Sequence, residues 1–455
     1  MTIVIANAAG FWGDDVAAPR RLVELAEVDY LTLEYLAELT LSIMARQRQK
    51  DASHGYASDF VAVVESLGPL LIDQPRLRIV TNAGGLNPQQ CAIAVANVLD
   101  RFGMGETQIG VVSGDDLYDR IDELRAAGCT FDHFDTGQSF DDVRASLISA
   151  NAYLGAKPIT AALDRGARIV ITGRVAEVSL TVGPVMHEFD WQWDDWNRLA
   201  AATVAGHVIE CGAQSTGGYS TRWQEYDLAD VGYPIAEIDG DGEVVITKPA
   251  GTGGRVSRLT VAEQLVYEIG NPAHYLTPDV DVDFTSLAVS QVGDDRVAID
   301  EAVGSPPPDD YKVSMAYACG FTAAGELLVF GDDCVDKSRA CVRLIVERLH
   351  AAGIELDQVH SELLGHGEAT GTSPPRDLKE IVLRIAARDQ RREAVEMFTK
   401  QFAPLITSGP AGLAGYAQGR PAVRPVFSYW PALVPKDALE PQVEVRTAKQ
   451  WRQSS

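Results

Sequence analysis

The sequence predicts an α/β protein: a mostly parallel sheet with helices on both faces, followed by a second α+β domain. Over residues 1–200, short β-branched runs alternate with amphipathic segments, the pattern of parallel strands joined by crossover helices. Polar, glycine-rich stretches follow several of those runs, as loops at strand ends do. After Gly232 the alternation gives way to hairpin-type turns, which divides the chain into domains at 1–230 and 231–455.

Residues 3–5 read as a strand ending at Asn7, and 29–31 as another. Segments 22–25, 36–44 and 60–71 have helical spacing. The strand at 78–81 runs into a helix at 88–102, with Pro88 in the first turn, where a missing N–H costs nothing. A strand at 108–112, a helix at 117–127 and a strand at 168–172 continue the series. Beyond Gly232, Asp239-Gly240-Asp241-Gly242 turns between two short strands, and a helix follows at 261–269. Strands are expected at 282–289, 297–299, 312–318 and 326–330, and helices at 336–351, 378–388 and 393–402. The Pro- and Gly-rich stretch 404–435 reads as an irregular arm.

Lys and Arg total 39 against 64 Asp and Glu, a formal net charge of −25. That balance excludes a general nucleic-acid binder and disfavours docking on an anionic membrane. It leaves room for a small anionic substrate in a pocket lined by a few cations. The first residues lack the basic, apolar pattern of a leader, and no apolar run approaches about 18 residues, so the expected location is the cytoplasm. Six scattered cysteines without a CxxC read as reduced thiols, with no disulfide and no structural metal.

Three strand-end loops are candidates for ligand binding: Asn7-Ala8-Ala9-Gly10-Phe11-Trp12-Gly13-Asp14-Asp15, Asn82-Ala83-Gly84-Gly85-Leu86-Asn87, and Thr172-Gly173-Arg174. Glycines let the backbone approach a ligand, helix N-termini supply N–H groups to an anion, and Arg174 can bind one bidentately. The same loops also read as ordinary tight turns. None is a nucleotide fingerprint. Lys248, in Lys248-Pro249-Ala250-Gly251-Thr252-Gly253-Gly254, sits in a cationic loop that would fold over an anion or form a surface hairpin. His207 and Glu210, followed by Cys211, Gly217 and Gly218, supply an acid/base histidine with a carboxylate neighbour or, equally, a structural histidine. Asn151 and Tyr153 suit either substrate positioning or helix capping.

Several ordered segments together resemble the acyclic terpene utilisation family. They include Gly10-Phe11-Trp12-Gly13-Asp14, Thr81-Asn82-Ala83-Gly84-Gly85, Ser149-Ala150-Asn151-Ala152-Tyr153-Leu154-Gly155-Ala156, Thr172-Gly173-Arg174-Val175-Ala176, Thr203-Val204-Ala205-Gly206-His207 and Tyr311-Lys312-Val313-Ser314. One departure is Asn7-Ala8-Ala9-Gly10, where relatives carry more glycine. The resemblance implies catabolism of branched acyl-CoA or carboxylic-acid compounds, and it leaves room for a small partner subunit.

Together these readings predict a lyase or hydratase/dehydratase working by general acid/base chemistry on a branched acyl-CoA or hydroxy acid. His207 or Glu210 would move the proton, and Asn82, Gly84, Gly85, Thr172, Gly173 and Arg174 would hold the carboxylate or thioester. No cofactor is expected beyond a CoA thioester as substrate, and the expected assembly is a homo-oligomer. The rival expectation is a non-catalytic binding or scaffolding subunit of an acyl-CoA catabolic complex.

Overall fold

A computed structural model describes residues 1–37, 40–373, 377–415 and 419–454. In chain order the first elements are β1 (Thr2–Asn7), α1 (Ala18–Leu25), β2 (Tyr30–Leu33), α2 (Thr40–Lys50), α3 (Asp59–Asp73), β3 (Arg78–Thr81), α4 (Pro88–Arg101) and β4 (Gln108–Ser113). Next come α5 (Ile121–Ala126), β5 (Leu147–Ala152), α6 (Lys157–Asp164), β6 (Ile169–Thr172), α7 (Ser179–Phe189) and α8 (Trp196–Glu210). The series continues with β7 (Ile235–Asp239), β8 (Val244–Thr247), α9 (Arg258–Leu265), β9 (Tyr275–Leu276), β10 (Asp281–Asp283), β11 (Ala288–Gly293), β12 (Arg296–Asp300) and β13 (Val303–Ser305). It closes with β14 (Asp310–Phe330), α10 (Cys334–Ala351), β15 (Gln358–Leu364), β16 (Glu380–Asp389), α11 (Arg392–Thr399), α12 (Phe402–Ser408), β17 (Leu413–Gly415), β18 (Arg424–Pro435), β19 (Gln442–Thr447) and α13 (Ala448–Arg452).

The main sheet has the order β11-β12-β8-β7-β1-β2-β3-β6-β4-β19. It is not mostly parallel. Its centre, β1-β2-β3-β6-β4, is parallel. The flanking pairs β1–β7, β7–β8, β8–β12, β11–β12 and β4–β19 are antiparallel. Short turns join antiparallel neighbours, and the hairpins β7–β8 and β11–β12 after Gly232 extend the first sheet, while β13-β10-β9 form a separate one. The composition shift at Gly232 therefore marks a change of pairing within one sheet. The compact units are Met1–Ala316 with Tyr429–Ser455, and Tyr317–Ser428.

In the first unit, Leu31, Leu33, Ile79, Ile169 and Ile171 point into a core shared with α1, α3 and α4. Alternate strand residues such as Val80 and Val170 face the other layer, where α6, α7 and α8 pack. Both faces of the parallel centre are thus covered. The second unit pairs β15-β16-β14-β17 in antiparallel fashion, and α10, α11 and α12 pack on Leu327, Leu383 and Ile385.

The structure corrects several element assignments. The helix expected at 378–388 is instead the strand β16. Ile381, Leu383, Ile385 and Ala387 are buried every second residue, and positions four apart satisfy both periods. The expected helix at 36–44 starts at Thr40, and its residues 38–39 lie outside the described residues. The expected strand at 282–289 is split into β10 and β11, while 312–318 and 326–330 are parts of β14. The arm at 404–435 contains α12, β17 and β18, with 416–418 outside the described residues. No helix among the described residues is long and apolar enough to cross a membrane.

Candidate active site

The five parallel strands each run into a buried polar residue. These are Asn7 at the end of β1, Glu34 after β2, Asn82 after β3, Asp115 after β4 and Arg174 after β6. Loops at the carboxyl ends of parallel strands gather on one edge of the sheet, where open α/β folds place their ligands.

Glu34 and Asn82 form the centre. The Asn82 amide donates to Glu34 Oε2, Leu36 N donates to Glu34 Oε1 at 2.7 Å, and Tyr35 N donates to Asn82 Oδ1 at 2.8 Å. Burial pushes the Glu34 carboxyl well above the ordinary carboxylate range. The Arg174 charge opposes that rise and the Glu210 charge adds to it, so all three groups act on one another. Arg174 is fully buried; its guanidinium donates to Leu36 O and to Glu177 and lies 4.0 Å from the centre of the Tyr153 ring. The Lys312 ammonium approaches the same ring at 4.8 Å.

Asp115 fixes the turn that delivers Arg174. Its Oδ2 accepts from Arg174 N at 2.7 Å and from Asn151 Nδ2 at 2.8 Å. A Cβ on Gly173 would lie 2.3 Å from Asp115 Oδ1, so only glycine fits there. Gly84 is constrained similarly, its missing Cβ falling 2.5 Å from Thr172 O. Burial pushes the Asp115 carboxyl up to about 7. Asn151 Oδ1 is buried without a hydrogen-bond partner.

His207 and Glu210 enter from the end of α8. Asn7 Nδ2 donates to Ile209 O at 2.7 Å and to Glu210 O at 2.9 Å, tying the close of this helix to β1. His207 Nδ1 lies 3.1 Å from Glu210 Oε1 and its Nε2 lies 3.0 Å from Gln264 O. Tyr275 and Phe284 pack against its ring. Both ring nitrogens are engaged, so His207 braces Glu210 from behind. Glu210 Oε2 has no partner. Among the described residues no group of three or more His, Cys, Asp or Glu side chains is placed to hold a metal.

The other candidates are held by local structure. Gly10 packs on the Cys211–Gly212 backbone and donates its N–H to Asp14 Oδ2 at 2.9 Å. Trp12 is half-buried against the first core. Gly85 packs on Met44 and Gly55, and Asn87 donates to Ala52 O and His54 O. Thr172 Oγ1 donates to the Gly173 carbonyl. Gly217 turns beneath Tyr226 at φ +103, while Gly218 is exposed and donates to Ala213 O. The Lys248 loop is not a flexible cationic flap. Lys248 is buried, donating to Thr252 O at 2.7 Å and pairing with Asp295 at 3.2 Å, and Gly253 and Gly254 are bonded to Asp230 O and Asp227 O.

The sequence over residues 3–445 matches the family described as acyclic terpene utilisation family protein AtuA. The chain belongs to this family. No curated protein and no solved structure matches it. In this AtuA-family chain, Glu34, Asp115, Glu177 and Lys312 escaped the sequence reading. Glu34 also reads as one solvated acid of an amphipathic segment, and Asp115, after Ser113-Gly114 and beside Asp116, reads as part of a polar turn. Glu177 begins no motif, and Lys312, although it stands in the family-like segment Tyr311-Lys312-Val313-Ser314, reaches Tyr153 only through the fold.

Proposed function

We propose that this AtuA-family chain is a lyase of the hydratase/dehydratase kind, acting on a branched acyl-CoA or hydroxy carboxylic acid. The reading is carried by the buried Glu34 and Arg174 at the strand ends, with Glu210 near enough for its charge to act on Glu34. Glu34 holds its proton towards neutral pH and is the acid; Glu210, braced by His207 and with Oε2 open, is the base. In dehydration, Glu210 takes the proton from the carbon beside the carbonyl, and that C–H electron pair becomes the new C=C bond. The C–O bond breaks as Glu34 passes its proton to the departing hydroxyl, which leaves as water. Arg174 stabilises the charge that develops on the carbonyl or carboxylate oxygen. These steps use side chains of this chain throughout.

The test is incubation with a panel of hydroxy acids and acyl-CoA thioesters, followed by mass spectrometry. A change of one water by the wild-type chain is expected, falling by roughly 10²- to 10⁴-fold in Glu34→Gln and in Glu210→Gln. Binding of an acyl-CoA without any mass change would replace this reading with that of a binding subunit.

A further inference from the structure

The protein carries a charge of −25, yet the proposed reaction takes an anion. In the stack Arg174–Tyr153–Lys312, near the strand ends, two cations share a single ring. Its inner member is fully buried, while Lys312 is exposed. Glu177 is the other end of the cluster that reaches solvent: its side chain is 31% exposed, and its carboxylate pairs with the Arg174 guanidinium. A carboxylate held on an arginine by a partly solvated side chain has the chemistry of a bound carboxylate ligand.

We propose that Glu177 is a built-in stand-in for the substrate's carboxylate. A small carboxylate displaces it from Arg174, drawn in by Lys312. The proposal rests on the assignment of Arg174 to the site, and it goes further in naming an internal competitor and an outer cation. Attraction by one exposed cation on an acidic protein is screened by salt, because charges separated by more than a Debye length of about 8–10 Å cease to act on one another.

Titration of ¹³C-acetate against the folded chain, followed by NMR, tests this without turnover. Glu177→Gln should tighten acetate by about tenfold, the smaller end of what a charge-assisted hydrogen bond is worth. Lys312→Ala should weaken it by roughly threefold to tenfold and flatten its salt dependence, and Lys312→Arg should restore both. Equal affinity in wild type and Glu177→Gln, or an unchanged affinity in Lys312→Ala, would overturn the proposal. The acid/base reading is judged by turnover in Glu34→Gln and Glu210→Gln, so either reading can fail while the other stands.

Discussion

Arg174 and Lys248 are both buried cations in glycine-rich segments, and the difference between them separates site from scaffold. Lys248 is satisfied within its own neighbourhood, by Thr252 four residues on and by Asp295. Arg174 instead draws on groups from separate strand ends: the backbone at Leu36, Asp115 through its own N–H, Tyr153, and the charge of Glu34. Around it lie two carboxyls pushed upward by burial and two oxygens, Asn151 Oδ1 and Glu210 Oε2, without partners. A fold gains no stability from such groups, and their concentration is what supports the proposed site.

The largest effect that could break this comparison is the pH dependence of stability. Burial raises Asp115 from 3.8 to about 7 in the folded chain. Between those values the folded state holds a proton that the unfolded state has released, so stability falls as pH rises through the window. From pH 4 to pH 8 the wild type should lose roughly 4 kcal/mol more than Asp115→Asn, measured by urea unfolding at each pH. Equal losses would show that Asp115 is ionised throughout and that the two regions do not differ electrostatically.

His207 sharpens the comparison next. Its role as a brace predicts that His207→Leu costs about 3 kcal/mol, because Glu210 is left largely buried without its partner. A thermal melt of the variant near wild type would return His207 to the list of proton donors. The smallest effect belongs to Lys248: Lys248→Met should cost about 2 kcal/mol by leaving Thr252 O unpaired, with no change in turnover. A stable Lys248→Met chain that loses turnover would erase the distinction between the two cations.

The parallel centre and its loops were legible because short parallel strands buried on both faces leave continuous β-branched runs, as at Ile79–Val80 and Ile169–Ile171. The pairing of the later strands was not. Val244–Thr247 reads the same whether it starts a new sheet or joins β7, and only the long-range partner decides. Within the site, Asn82, Arg174, Glu210 and Asn151 announced themselves through glycine-rich or polar surroundings. Glu34 did not, because Tyr30-Leu31-Thr32-Leu33-Glu34-Tyr35-Leu36 also reads as an amphipathic segment with one solvated acid. Its burial depends on Asn82, 48 residues away.

Hydrogen exchange beside the substrate carbonyl in D₂O tests the central claim most directly, that Glu210 takes the proton there in the same step in which Glu34 protonates the departing hydroxyl. The substrate panel, incubated with the chain and read by mass, should gain deuterium at that carbon with the wild type and with Lys248→Met. In Glu34→Gln and Glu210→Gln the rate should fall by roughly 10²-fold or more. Exchange at the wild-type rate in the Glu34→Gln Glu210→Gln double variant would contradict the account.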